Sequence, residues 1–507
     1  MFKTEQRPHQ KRGFELLQKN PAFALFCKMR TGKTKMLLDD AAAKFAAGEI
    51  DLLLVVCPND VQHNWVLREI PKHLSCPHWA IAVHSSMRVK EKKELESLAS
   101  TPSPDRLKVV AVNIEAIRFS RKPTPKFLFY KRLLQEHRTM MVVDESQIIK
   151  TPTAQATRGA LQLAKLAPFR RIATGTPQPQ GPPDLFSQLK FLSPNAIPHA
   201  TLTAFRADFC IQKEIENKYH RKGDPRSPEF IKITVGFKNE SKLRELVQPW
   251  AYSVTLEEIQ ADVPAVQADP IYFEFTPQQR RMYNELKRQA VSTIENPPPH
   301  LSDDDLVEWM LTDANARVTS KNGLTAALRM LQLGGGFVND DDGELQEIES
   351  NRMRRLLDFI ETMDSDEKVV IWANFIPEIE AVRDTLRQVY GKAAVVDFYG
   401  ATKADARNEA IDRYTNDPEC RFFVANPAAA GRGIDLAAGR HMIWYTLPNY
   451  NYEVYEQACA RQSGPLQTRP RIMTHLVALR SRDEKVMASM EEKRDREEKV
   501  IFAKETF

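Results

Sequence analysis

Short apolar runs, each followed by a helix-length stretch, occur in two separate parts of this sequence, and they constrain its fold more than any other feature. In the first part the runs are Ala22–Phe26, Leu52–Cys57, Val109–Val112, Met140–Val143 and Arg171–Thr174. Helical patterns such as Lys33–Ala46 and Ala154–Leu166 lie between them. After residue 365 the rhythm returns with Lys368–Trp372, Ala393–Phe398, Arg421–Ala425 and His441–Tyr445, separated by helices such as Ile376–Val389 and Lys403–Thr415. A strand that is apolar at every position is buried on both faces, which occurs in parallel sheets covered by helices. The fold class is therefore α/β, with two lobes each built on a parallel sheet.

The stretch between the lobes differs. It is richer in helical and polar patterns, and Pro297, Pro298 and Pro299 interrupt any helix there. The expected division is residues 1–192 for the first lobe, 193–345 for helical insertions and linker, and 346–480 for the second lobe. Residues 481–507 form a charged C-terminal helix that braces another surface through Val486, Met490 and Val500.

With 507 residues, 42% hydrophobic and 27% charged, the chain is too balanced to be disordered or collagen-like. Its longest apolar strand run, Leu52–Cys57, falls far short of the ~20 residues a membrane helix needs, so no membrane partner is expected. Cysteines 27, 57, 76, 210, 420 and 459 form no Cys-x-x-Cys pair, which argues against a zinc site and for a reducing compartment. The expected location is the cytoplasm. The formal charge of +5 does not by itself imply a nucleic-acid partner.

Two motifs carry chemistry. Lys28-Met29-Arg30-Thr31-Gly32-Lys33-Thr34 follows an apolar strand and opens a helix. At such a junction backbone N–H groups cradle phosphate oxygens, Lys33 adds positive charge, and the Thr34 hydroxyl can hold Mg²⁺. Cys27 stands where the usual pattern has its first glycine. The second motif, Val142-Val143-Asp144-Glu145-Ser146-Gln147, ends another apolar strand. Asp144 can bind Mg²⁺, and Glu145 can orient and deprotonate an attacking water.

Together with Thr174-Gly175-Thr176-Pro177, these motifs resemble superfamily two helicases, in particular the SWI/SNF-type double-stranded DNA translocases and their compact phage-like forms. Arg7-Pro8-His9-Gln10 with Gly13 is similar to the family's adenine-contacting segment. Pro58 to Trp65 with Glu69 resembles its first nucleic-acid motif, and Asp144 to Lys150 with Pro152 its Asp-Glu box. Further on, Phe205 to Cys210, Leu243 to Pro249, Phe275 to Arg280, and Leu331-Gln332 with Gly334 to Gly336 resemble the insertion and the entry to the second half. Ala430 to Leu436 resembles motif V, and Gln457 to Arg461 motif VI.

The resemblance implies two RecA-like lobes and a DNA-dependent ATPase that translocates on duplex or branched DNA, with branch migration or annealing as further outcomes. ATP would be held by Gln10, Arg30, Thr31, Gly32, Lys33 and Thr34 from the first lobe and by Gly433 and Asp435 from the second. Lys33, Asp144, Glu145 and Arg461 would be catalytic, and Thr34 and Asp144 would hold Mg²⁺. Thr174 and Thr176 would couple nucleotide to nucleic acid. Pro58, Asn59, Asn113, Asn374 and Asn426 are the candidate DNA contacts, with Lys218, His220, Arg221, Lys222 and Arg226 as a basic patch. The expected partners are DNA and other replication, recombination or repair proteins, with the chain itself a monomer. One departure stands out: the second arginine of motif VI falls on Gly464, which leaves Arg461 alone, or Arg469 or Arg471, to supply charge. Two other readings stay open, a strand-separating DNA or RNA helicase and a nucleic-acid-binding scaffold with weak turnover.

Overall fold

A computed structural model describes residues 2–59, 61–84, 87–216, 230–259, 267–294, 302–312, 321–340, 344–400, 402, 404–430, 434–463 and 470–502. Gly433, Gly464, Arg469, the basic patch from Lys218 to Arg226 and the three consecutive prolines lie outside them. The chain divides into two compact units. The first comprises Met1–Ile211, Gly236–Gln260 and Arg494–Phe507, and the second comprises Gln212–Val235 and Ala261–Lys493.

The first unit is built on strands β1 (Ala22–Cys27), β2 (Leu52–Cys57), β3 (His78–Val83), β4 (Leu107–Asn113), β5 (Thr139–Asp144) and β6 (Phe169–Thr174). A separate two-stranded sheet, β7 (Cys210–Glu216) and β8 (Phe230–Phe237), most of which falls in the second unit's span Gln212–Val235, precedes β9 (Ala251–Val254) of the first. The sheet order is β3-β4-β2-β5-β6-β1-β9, and every pairing is parallel. Alternate residues of each run enter opposite cores. Phe26, Leu54, Val112 and Val143 belong to one core, while Leu25, Val55, Ala111 and Val142 belong to the other. That double burial is why these strands read as unbroken apolar runs.

In the second unit β10 (Gln267–Phe273) is followed by a small antiparallel pair, β11 (Phe337–Asn339) and β12 (Leu345–Glu347). Then come β13 (Val369–Trp372), β14 (Val395–Phe398), β15 (Phe422–Ala425), β16 (His441–Trp444) and β17 (Ile472–Ala478). Its six-stranded sheet runs β10-β17-β16-β13-β15-β14, again wholly parallel. The two faces again separate, with Val369, Ile371 and Val424 on one side and Val370, Trp372 and Phe423 on the other. Two parallel sheets with helices on both faces are the architecture of two RecA-like lobes.

The stretch 193–345, expected to be insertion and linker, also supplies sheet. β9 extends the first sheet at one edge, and β10 extends the second. Both escaped the apolar-run criterion because edge strands need no double burial. β10 even carries Pro270, which only an edge tolerates. The helices Leu202–Phe209 and Glu240–Val247 bury Phe205, Phe209, Leu243 and Val247 in a core of the first unit. The C-terminal helix Arg482–Glu497 buries Val486 and Met490 in a core of the second unit. After it, a π-helical turn, Glu498–Phe502, buries Val500, Ile501 and Phe502 in a core of the first. Among the described residues no helix is long and apolar enough to cross a membrane.

Candidate nucleotide site

The carboxyl ends of β1, β6 and β5 lie level. Phe26 pairs with Thr174, and Asp144 pairs with Ala173 on the same strand. Because these three strands are neighbours, residues 27–34, 144–147 and 174–177 are delivered to one edge of one sheet. In open parallel sheets this edge is where ligands bind.

The loop after β1 is tightly wound. Arg30 has φ +65° and Gly32 φ +86°, and the Thr31 hydroxyl donates to Lys28 O at 2.8 Å. A β-carbon on Gly32 would lie 2.2 Å from Gln10 Nε2, so the dihedral demands glycine and any side chain there would also displace the Gln10 amide. The helix Lys33–Ala46 starts immediately afterwards, with its first N–H groups unpaired by helix geometry and its positive dipole end at the loop. Lys33 is buried and its ammonium donates to Cys27 O at 2.9 Å and to Lys28 O at 3.4 Å. Thr34 stands beside it, half-buried. Cys27, in the place of the usual first glycine, is wholly buried, and burial pushes its thiol up to about 12. It is a packing residue and not a nucleophile.

Gln10 holds the loop from outside. Its Oε1 accepts from Arg7 N at 3.0 Å and its Nε2 donates to Thr31 O at 3.2 Å, while His9 Nε2 lies 2.8 Å from the same carbonyl. The Lys28 ammonium meets the buried Glu497 carboxylate at 2.7 Å and lies over the Phe502 ring. This tie to the C-terminal segment, 469 residues away in the chain, has no local sequence signal.

Asp144 is buried, and its Oδ2 accepts the Trp65 indole N–H at 2.8 Å. Burial, and then the neighbouring Glu145 charge, hold its carboxyl above the ordinary range, while the Trp65 N–H and Lys33 pull it back. Glu145 has φ +52°, a left-handed conformation that costs a non-glycine residue energy and tends to persist at functional sites. Its Oε2 accepts from Gln147 Nε2 at 3.1 Å and from the Thr174 hydroxyl at 3.4 Å. Thr174 donates more strongly to Gln147 Oε1, at 2.6 Å, and accepts from Thr176 N at 3.0 Å. Gln188 closes the network, accepting from Ser146 and donating to Pro177 O, each at 2.6 Å. The acid pair and the Thr174–Thr176 segment thus form one hydrogen-bonded unit. Trp65 and Gln147 lie inside quoted motifs without an assigned role, and Gln188 had no signal at all.

In the second unit Arg461 sits on a short turn, Ala460–Gln462, and its carbonyl accepts from Leu436 N at 3.0 Å. The motif V and motif VI segments are therefore joined through backbone. Asp435 is exposed and its carboxylate accepts from Ala437 N at 3.0 Å. Arg471, the alternative arginine, donates to the Ser463 hydroxyl.

The candidate DNA contacts divide. In the first unit Pro58 is buried, Asn59 is exposed, and the Asn113 side chain accepts from Ala116 N at 3.1 Å. In the second unit Asn374 donates to Leu447 O, and Asn426 donates to Asn374 O at 2.7 Å while accepting from Ala428 N and Ala429 N. The structure brings Asn374 and Asn426 together, with their amides bonded inside the protein.

Residues 16–325 match the family model of the SNF2-related domain, and residues 351–463 that of the helicase conserved C-terminal domain. The chain is 23% identical over 473 residues to Protein CHROMATIN REMODELING 19 of Arabidopsis thaliana, covering 85% of this chain and 60% of that protein. It is 22% identical over 487 residues to the DNA repair and recombination protein RAD54 of Saccharomyces cerevisiae, covering 90% and 50% respectively. It also aligns with a solved Sulfolobus solfataricus SWI2/SNF2 ATPase core in complex with dsDNA, at 20% identity and TM-score 0.39, over 99% of this chain and 93% of that one. The chain spans 45–60% of the length of the first three curated relatives it matches. With the SNF2-related model matched from residue 16 to residue 325 and the helicase C-terminal model beyond it, the chain belongs to the SNF2 family of helicase-like ATPases.

Proposed function

We propose that this chain hydrolyses ATP in a DNA-dependent manner and converts the hydrolysis into translocation along duplex or branched DNA. The observation that carries the reading is the level edge of the first sheet, where the phosphate-loop lysine and the Asp144–Glu145 pair share one site. A helix start with Lys33 suits the triphosphate of ATP. Thr34 and Asp144 are hard oxygen donors of the kind Mg²⁺ prefers. A buried carboxyl raised by a neighbouring acid is also one that an added cation would relieve. Mg²⁺ bound there would neutralise charge on the phosphates. Glu145, bonded to Gln147 and Thr174, is the proposed acceptor of a proton from the attacking water. Arg461 is the proposed transition-state arginine of the second unit.

DNA as the proposed partner rests on the relatives, four of which are named DNA repair and recombination proteins. Proteins of replication, recombination or repair are the proposed further partners. The test is phosphate release measured side by side with duplex, single-stranded, forked and RNA cofactors. Duplex or forked DNA should stimulate most, and Lys33→Ala should lower the stimulated rate by about 10²–10³-fold, the scale of losing one preorganised charge at a reacting group. Stimulation by single strands alone would favour a strand-separating helicase. Absence of release with every cofactor would leave a binding scaffold.

A further inference from the structure

Trp65 is a buried aromatic whose ring packs with Cys57, Ile70 and Leu74 in a core of the first unit. Its indole N–H would be costly to leave unpaired in such surroundings. The acceptor it meets is not a backbone carbonyl but Oδ2 of Asp144, at 2.8 Å, across 79 residues of sequence. The other oxygen, Oδ1, accepts from Glu145 N at 3.1 Å. Each carboxylate oxygen has about two lone-pair positions, so both donors can be satisfied while a position on each oxygen stays available.

The backbone around Trp65 is equally specific. β2 ends at Cys57, one helical turn covers Val61–Asn64, and a π-helical turn then runs from Trp65 to Glu69. Single π turns are rare overall but frequent at functional sites. This one begins at the residue bonded to Asp144. The same short segment begins with Pro58 and the exposed Asn59.

We propose that Trp65 is a positioning residue for Mg²⁺: its N–H fixes the rotation of the Asp144 carboxylate and so sets how tightly the metal binds with the nucleotide. The proposal rests on Asp144 being a metal ligand, as argued above. Partners that orient ligating groups typically contribute about 10–100-fold to metal affinity. Trp65→Phe keeps an aromatic ring in the core and removes only the donor.

The test measures equilibrium binding of a fluorescent, non-hydrolysable ATP analogue with and without Mg²⁺, for the whole chain, in the wild type, Trp65→Phe, Asp144→Asn and the double variant. In Trp65→Phe the metal-free affinity should stay at the wild-type value, while the Mg²⁺ concentration at half-effect rises by roughly 10-fold or more. In the Asp144→Asn background, Trp65→Phe should add nothing further to the metal dependence, as expected for two residues acting through one interaction. An unchanged Mg²⁺ midpoint in Trp65→Phe overturns the proposal. So does a parallel loss of metal-free affinity, which marks a purely structural tryptophan. If Asp144→Asn itself leaves the wild-type metal dependence intact, the metal-site reading fails and takes the proposal with it.

Discussion

Among the described residues each unit has one arginine with no exposed surface, and the two are solved alike but placed oppositely. Arg171 donates to Asp40 at 2.8 Å and to the carbonyls of Pro21, Arg170 and Leu17. Arg352 donates to Asp483 and to the carbonyls of Gly334, Tyr445 and Leu476. Arg171, however, pairs with Phe23 near the beginning of β1, in the amino-terminal half of the sheet. Arg352 reaches the opposite end of its own sheet, at Tyr445 just past β16 and at Leu476 late in β17. Around it gather Glu378, Thr446, Asn374 and Asn426, all bonded to one another or to nearby backbone. The first unit keeps its buried arginine away from the strand ends, where Lys33, Asp144 and Glu145 stand. The second fills its strand ends with a structural polar network. On the reading proposed above, the chemistry belongs to the first sheet and the second unit contributes through Arg461.

The sharpest way to break this contrast is Arg461→Ala. If the second unit supplies one charge to the reaction, DNA-stimulated hydrolysis should fall by about 10³-fold or more. Retained turnover would move the arginine elsewhere, with Arg471 and its Ser463 contact the next candidate.

Next in size is the Asp40–Arg171 pair, one of several buried ion pairs of the first unit. Asp40 and Arg171 are both fully buried, and Gln18 also donates to Asp40, at 2.5 Å. Removing the carboxylate by Asp40→Ala strands a cation and should cost about 3–5 kcal/mol. Asp483 is 15% exposed by side chain, so water can take the place of its carboxylate beside Arg352, and Asp483→Ala should cost less. Equal losses in denaturant unfolding would show that the two arginines are equivalent after all.

These contrasts also show what the sequence could carry. The doubly buried strands β1, β2, β4 and β5 are legible because burial on both faces writes a mostly apolar run, whereas β6 carries Arg170 and Arg171 and shows itself only in its last four residues. The half-exposed β3 and the edges β9 and β10 write no such run, so part of each sheet was missed. Lys33, Asp144 and Glu145 were legible because strand, loop and helix start lie within a few consecutive residues. Trp65, Gln188, Lys28 with Glu497, and Arg171 with Asp40 were not, since their roles exist only through bonds spanning tens to hundreds of residues. The asparagines show the converse. Asn374 and Asn426 stand at strand ends as expected of DNA contacts, yet their side chains cap and tie loops.

A smaller effect sharpens the account of the second unit's filled strand ends. Glu378 is wholly buried among Asn374, Phe375 and Thr446, and burial raises its carboxyl from an ordinary 4.5 to about 7. The folded state then holds a proton that the unfolded chain releases. Stability from this group is complete below about pH 4.5 and is lost as pH rises through about 7. Glu378→Gln should therefore flatten the decline of unfolding free energy between those values, relative to wild type. An identical pH dependence in both proteins would remove Glu378 from the titrating groups.

The smallest expected effect decides what Asn426 is for. Its Oδ1 accepts from Ala428 N and Ala429 N, each at 3.0 Å, at the start of the helix Pro427–Ala430. Its Nδ2 reaches Asn374 O at 2.7 Å. Loss of such a cap typically costs about 1 kcal/mol. Asn426→Ala should lower stability by that amount, and the slope of DNA affinity against salt should not change, because a neutral amide releases no counterion. Affinity itself then separates the roles. A residue that only ties two loops together weakens binding no more than the destabilisation accounts for at temperatures well below unfolding. A residue that contacts a phosphate weakens it at every salt concentration while the fold remains intact.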